Sequence, residues 1–221
     1  RSSDLAVTFS NDVFATTTKI GAGEIKFVSD VVSTDIVALS AGQGVVTFVG
    51  DGSGKSQSFV GDIGTLGSLI NTLNIGESGT ANYSTTTISG NIYATNTVLD
   101  NGTTNSSSLI LSDGSNITST IKTAQDGQGI LTFLGDSTVN GTIGTNTEKL
   151  EQINAADTGK TVTFNSSLNT NNLNILGDGT VILADNADIN APVTTTTTTN
   201  NEGTLTFEGT SNVSGQVGTT L

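Results

Sequence analysis

Gly42-Gln43-Gly44-Val45-Val46-Thr47-Phe48-Val49-Gly50 returns as Gly127-Gln128-Gly129-Ile130-Leu131-Thr132-Phe133-Leu134-Gly135. A looser third copy is Asn201-Glu202-Gly203-Thr204-Leu205-Thr206-Phe207-Glu208-Gly209. In each copy an aliphatic residue and a phenylalanine flank a threonine. Successive side chains of an extended chain point to opposite sides, so the two apolar residues share one face and the threonine takes the other. That alternation reads as a half-buried β-strand.

The same triplet occurs as Val7-Thr8-Phe9, Ile25-Lys26-Phe27 and Val162-Thr163-Phe164, so six of the 8 phenylalanines sit in it. Their spacings are 18, 21, 85, 31 and 43 residues. A unit of about 20 residues belongs to a solenoid, in which each coil buries its apolar face only by stacking on the next. The spacing of 31 then requires an insertion. Each long copy is followed by a second signature: Gly61-Asp62-Ile63-Gly64-Thr65, Gly141-Thr142-Ile143-Gly144-Thr145 and Gly215-Gln216-Val217-Gly218-Thr219. Next come Ile70-x-x-Leu73-Asn74 and Leu150-x-x-Ile153-Asn154, the latter beside Glu148, Lys149 and Glu151. Their three-residue apolar spacing predicts a short helical turn, which would supply the insertion.

The expected fold is therefore all-β, a right-handed parallel β-helix forming a single solenoid over 1–221, with long repeats starting near 42, 127 and 201. Roughly ten or eleven coils would give a rod on the order of 50 Å long. The Phe-centred segments should lie one above another on one hydrophobic spine. Asp51-Gly52, Asn101-Gly102, Asp113-Gly114, Asp126-Gly127 and Asp178-Gly179 supply turns. Such pairs also build hairpins, which leaves an antiparallel β-sheet stack as the alternative. Thr194 to Thr199, after Pro192, has no apolar partner and reads as an exposed edge, a loop or a linker. The third copy stops at Leu221 where the earlier ones continue, so the chain reads as a fragment of a longer one.

Composition narrows the function. Of 221 residues, 33% are hydrophobic and 12% charged, with a net charge of −13 and 7 basic residues. Nucleic-acid binding needs clustered basic side chains, and anionic membrane surfaces repel such a chain; neither partner is expected. No apolar run is long enough to span a membrane as a helix, so direct insertion by this segment is not expected, and no basic-plus-apolar leader opens the sequence. With no Cys and no His, disulfides, zinc fingers, thiol nucleophiles, histidine triads and histidine metal sites have no residues to build them.

Carboxylates remain. Asp51, Asp62, Asp113, Asp126, Asp136 and Asp178 sit beside Gly, Ser or Asn, where turn formation accounts for them. Gly50-Asp51-Gly52-Ser53-Gly54-Lys55-Ser56 resembles a phosphate loop, but the required first glycine is Val49. Asp-Gly pairs do not recur at nine-residue steps, so the calcium-binding repeat pattern is absent. Seven Asn-x-Ser/Thr sequons start at Asn82, Asn101, Asn105, Asn116, Asn140, Asn165 and Asn212, a number that Asn, Ser and Thr abundance produces by chance. Asp51 to Ser58 is longer than its counterparts, and lengthened loops on rigid scaffolds often bind. No catalytic, cofactor-binding or metal-binding residue is assigned, no cofactor is expected, and the binding residues are unknown.

The strings at 42–50 and 127–135, the degenerate 201–209 and the trailing Gly-x-[Ile/Val]-Gly-Thr resemble the passenger regions of rickettsial surface cell antigens, the outer-membrane protein A and B type. The resemblance is good over 40–221 and one of texture before that. It implies an autotransporter with a signal peptide, a secreted β-helical passenger and a C-terminal barrel. It further implies an extracellular adhesin on the bacterial surface, outside the outer membrane, that promotes attachment to and entry into host cells through a host-cell surface protein receptor. Absence of cysteine fits export of an unfolded chain through a narrow pore. The alternative is a structural spacer or self-associating surface coat. A polysaccharide-cleaving enzyme would need a basic or carboxylate cluster in a groove, and the sole arginine, Arg1, argues against one; the chain is read as non-enzymatic.

Overall fold

Short Val-, Ile- and Thr-rich segments separated by Gly, Asn and Asp form strands because branched side chains pack well on a pleated surface and the separators tolerate turns. The computed structural model describes residues 5–50, 55–77, 83–99 and 105–218, and among these there are strands and no helix. The strands make a ten-stranded, a nine-stranded and a two-stranded sheet. Every pairing between strands is parallel, for example Gln43–Phe48 with Ile70–Ile75 and Ser108–Leu111 with Ile130–Phe133. The antiparallel stack is thereby excluded; among the described residues Thr65 and Ser68 form the single antiparallel bridge, inside one turn. The chain is a parallel β-solenoid.

Following the register from coil to coil gives three buried columns. The first runs Val7–Ile25–Val46–Leu73–Thr97–Ile121–Ile143–Leu168–Ile189–Val213. The second runs Thr86–Leu109–Leu131–Ile153–Leu173–Val193–Val217, with Val32–Phe59–Ile88–Leu111–Phe133 two residues along the same strands. The third runs Ile36–Ile63–Ile92–Ile117–Val139–Phe164–Leu183–Phe207. The chain visits first, second and third in that order on every coil, so the solenoid has three faces around one core. Most members are fully buried. Coil length in the first column varies from 18 residues (Val7 to Ile25) to 27 (Val46 to Leu73). At about 4.8 Å per coil, Val7 and Val213 lie about 43 Å apart along the axis.

The columns correct the expected single spine. Phe9, Phe27 and Phe48 do stack on the first face, with ring centroids 5.6 and 5.4 Å apart. Phe133 instead pairs with Leu111 on the second face, and Phe164 and Phe207 both pair with Leu183 on the third. Phe133 and Phe164 meet edge-on across the interior at 5.8 Å. Three complete coils separate Val46 from Ile121 in the first column, and Leu131 comes one face later. Three more coils separate Leu131 from Val193, and Leu205 again comes one face later. Each long repeat therefore advances three and one-third coils, and its three copies occupy the first, second and third faces. The second signature turns with it: Ile63 lies on the third face, Ile143 on the first and Val217 on the second.

Local structure is preserved through that rotation. Gly42 and Gly127 both have φ 75°, and Asn201 takes φ 67° at the same place. Two residues on, Gly44, Gly129 and Gly203 have φ 85°, 86° and 80°. A Cβ there would lie 2.7 Å from Ile20, 2.9 Å from Leu99 and 3.2 Å from Ile175, respectively. Only glycine satisfies both the left-handed backbone and the close approach. Asn74 donates Nδ2 to Thr47 Oγ1 at 3.1 Å, and Asn154 repeats that bond to Thr132 at 3.1 Å one face further round.

The expected helical turn is a strand corner. Ile70 is buried and opens the strand Ile70–Ile75, with Asn71 outward and Leu73 and Ile75 inward. Leu150 bridges Thr170, and the strand Gln152–Ala155 follows. Turning from one face to the next inverts the alternation once, which gives the three-residue spacing without a helix. The 31 residues from Phe133 to Phe164 likewise need no insertion, because one coil plus one face separates them. In the threonine run, Thr194 and Thr195 belong to the strand Val193–Thr195, while Thr196 to Thr199 lie outside any strand.

Candidate functional site

Outward residues beside each column carry the polar chemistry. On the third face Asp35 Oδ1 accepts from Asp62 N at 2.9 Å, and Asp62 Oδ1 accepts from Asn91 N at 2.6 Å. Asn91 Oδ1 accepts from Asn116 N at 3.1 Å, and Asn116 Oδ1 from Thr138 N at 2.8 Å. Each side chain caps a backbone amide of the following coil, where the turn leaves that donor without a strand partner. Aspartate and asparagine suit the role because their oxygens reach a neighbouring main-chain N–H.

On the first face the same arrangement widens into a groove of about 570 Å³ spanning four coils. One wall is the turn after Gly144, closed by Thr145 N donating to Glu148 O at 2.9 Å. Asn146 projects from that turn, and its Oδ1 accepts from Asn190 Nδ2 at 2.7 Å. Asn190 Nδ2 also donates to Asn169 Oδ1 at 3.1 Å, and its own Oδ1 accepts from Ser214 Oγ at 2.7 Å. Asp188 Oδ1 accepts from Asn212 N at 2.8 Å and Nδ2 at 3.2 Å. The groove thus offers carboxamides, hydroxyls and one carboxylate over the buried Leu168 and Ile189.

Acidic turns are otherwise structural. Asp113 Oδ1 accepts from Asp136 N at 2.7 Å, and Asp136 Oδ1 accepts from Thr161 N at 2.7 Å. Lys160 Nζ lies 2.6 Å from Asp113 and 3.9 Å from Asp136. The hydrogen bond from Lys160, aided by the Asp136 amide, holds the Asp113 carboxyl below its ordinary range, and the same bond raises the Lys160 ammonium. Lys26 is likewise raised, first by its hydrogen bond to Glu77. Among the described residues no three His, Cys, Asp or Glu side chains group to hold a metal ion, and no helix is long and apolar enough to cross a membrane.

Positions 51–54, shared by the phosphate-loop lookalike and the lengthened segment Asp51 to Ser58, lie outside the described residues. Lys55 donates to Val28 O at 2.5 Å and pairs with Asp30 at 2.8 Å, while Ser56 opens the strand Ser56–Val60. Sequon residues Asn116, Asn140, Asn165 and Asn212 serve the coil-to-coil ladders; Asn82 and Asn101 lie outside the described residues. The sequence reading missed Asn146, Asn169, Asp188 and Asn190. A signal existed in the Asp/Asn-aliphatic pairs Asp62-Ile63, Asn91-Ile92, Asn116-Ile117, Asp188-Ile189 and Asn212-Val213, which recur at coil spacing.

Fold and ladders place the chain in the class of parallel β-solenoid proteins. No family model, no curated protein and no solved structure matches it.

Proposed function

We propose that this chain is part of the secreted passenger of an autotransporter adhesin, held outside the outer membrane, where it mediates attachment to and entry into host cells by contacting a host surface protein. The supporting observation is the in-register stack from Val7 to Val213, in which each added coil lengthens the molecule and extends three polar faces. A fold of that kind suits reach and lateral contact. Beads coated with the folded protein should adhere to mammalian cells above beads coated with an unrelated solenoid. Equal adhesion would remove the adhesin reading.

The second reading, a spacer or self-associating coat, draws on a different observation. Many outward Asn and Thr side chains are bonded to one another along the ladder, as in Thr132–Asn154–Asn174. Groups so engaged stiffen the rod, which suits a spacer. Concentration-dependent sedimentation without cell binding would favour the coat.

A further inference from the structure

We propose that the groove beneath the turn carrying Asn146 binds an extended, neutral β-1,4-linked glycan along the solenoid axis. Four coils contribute one rung each at about 4.8 Å, close to the advance of one pyranose ring in such a chain. A sugar hydroxyl both donates and accepts, and it is satisfied by an acceptor beside a donor. Asp188, which lines the groove, supplies the acceptor: Asn212 bonds its Oδ1, and the carboxylate has a second oxygen. Asn146, exposed on the turn, supplies a carboxamide whose Oδ1 is fixed by Asn190, which orients its amide donor. The floor is pre-ordered, because Asn169, Asn190 and Ser214 are already tied into one line of hydrogen bonds. Little side-chain freedom remains to be lost on binding. Leu168 and Ile189 beneath give apolar contact for the C–H face of a ring.

The charge decides the ligand class. With a net charge of −13 and Asp188 and Glu148 near the groove, a sulfated or uronate-rich chain is repelled. The first repeat copy carries the corresponding overhang. Thr65 N and Ser68 O pair at 3.2 Å as Thr145 N and Glu148 O do, above Tyr93 and Asn91 on the third face. That turn carries Leu66 where the second copy carries Asn146, so the proposed site belongs to the second copy. This inference does not rest on the attachment reading, since purified sugar tests it without cells.

The experiment is amide-resolved NMR titration of the whole chain with cellohexaose and chitohexaose, and with a heparin hexasaccharide as the anionic comparison. Shifts should gather on residues 142–146, 167–169, 188–190 and 212–214 with a neutral sugar and not with heparin. Asn146→Ala should weaken binding about five- to tenfold. Asp188→Asn keeps the bonded oxygen and should weaken it comparably, while both variants retain the parent spectrum elsewhere. No shifts with either neutral sugar, shifts centred on another face, or affinity unchanged in both variants overturns the proposal. Preference for heparin overturns it too.

Discussion

Phe48 and Phe133, which hold the same place in two near-identical nonapeptides, lie on different faces of the solenoid: Phe48 stacks on Phe27, whereas Phe133 pairs with Leu111. Both are fully buried. One motif therefore meets the same core from two directions, because its local needs are a glycine corner and an apolar interior rather than a fixed neighbour. Repeat length and coil length need not match in a three-faced solenoid; a repeat can end at any corner.

Truncating either ring should cost about 3–5 kcal/mol, since each leaves a cavity in a closed core. Phe207 is 42% exposed, and Phe207→Ala should cost about 1 kcal/mol. Urea denaturation with hydrogen exchange checks the pair. Exchange is needed because solenoid coils can open locally rather than all together.

Gly129→Ala should destabilise more than Gly114→Ala. Both have left-handed backbones, φ 86° and 79°. Only at Gly129 would the new methyl meet a neighbour, Leu99 Cβ at 2.9 Å, while Gly114 opens on solvent. The open site should lose about 1 kcal/mol from backbone strain alone, and the packed one clearly more. Equal losses by chemical denaturation would contradict the close-packing of the corner.

Gln57 is buried on the second face, where Nε2 donates to Phe27 O and Ser29 O, both at 2.9 Å, and Oε1 accepts from Ser84 Oγ at 2.8 Å. Gln57→Leu leaves those partners buried without it and should cost about 1–3 kcal/mol. A neutral result by denaturation would mean that water replaces the side chain.

Asp113 titrates below its ordinary range because Lys160 donates to it. A depressed carboxyl contributes stability above its unfolded pKa, and that contribution is lost as pH falls through the folded value. Lys160→Met should return the Asp113 side-chain NMR titration upward toward an ordinary aspartate. The pair is solvent-exposed, so added salt should move the parent protein in the same direction.

Much of this architecture was legible in the sequence. Val46-Thr47-Phe48 and its relatives show period-two strands, and the small, Asp- and Asn-rich separators show turns. The parallel stack follows from unit length. Two features were not legible. Ile70 and Leu73 both point inward because the chain turns a corner between them, and a corner looks like a helical period in one dimension. The faces themselves were hidden because Phe133 and Phe48 have the same neighbours in sequence, while their partners, Leu111 and Phe27, lie one coil away. The groove was invisible for a related reason: Asn146, Asn169 and Asn190 come together only when three coils are stacked.

Paired cysteines test the rotated register most directly, since the chain contains none of its own. Thr47 and Asn74 are outward partners on the first face, and Thr132 and Asn154 are outward partners on the second. Neighbouring parallel strands bring such Cα atoms to about 4.8 Å, within disulfide reach. Under mild oxidation T47C/N74C and T132C/N154C should both cross-link, and K122C/T132C should stay reduced. A K122C/T132C disulfide, with T132C/N154C unlinked, would put Thr132 on the first column after Lys122 and contradict the three-faced arrangement.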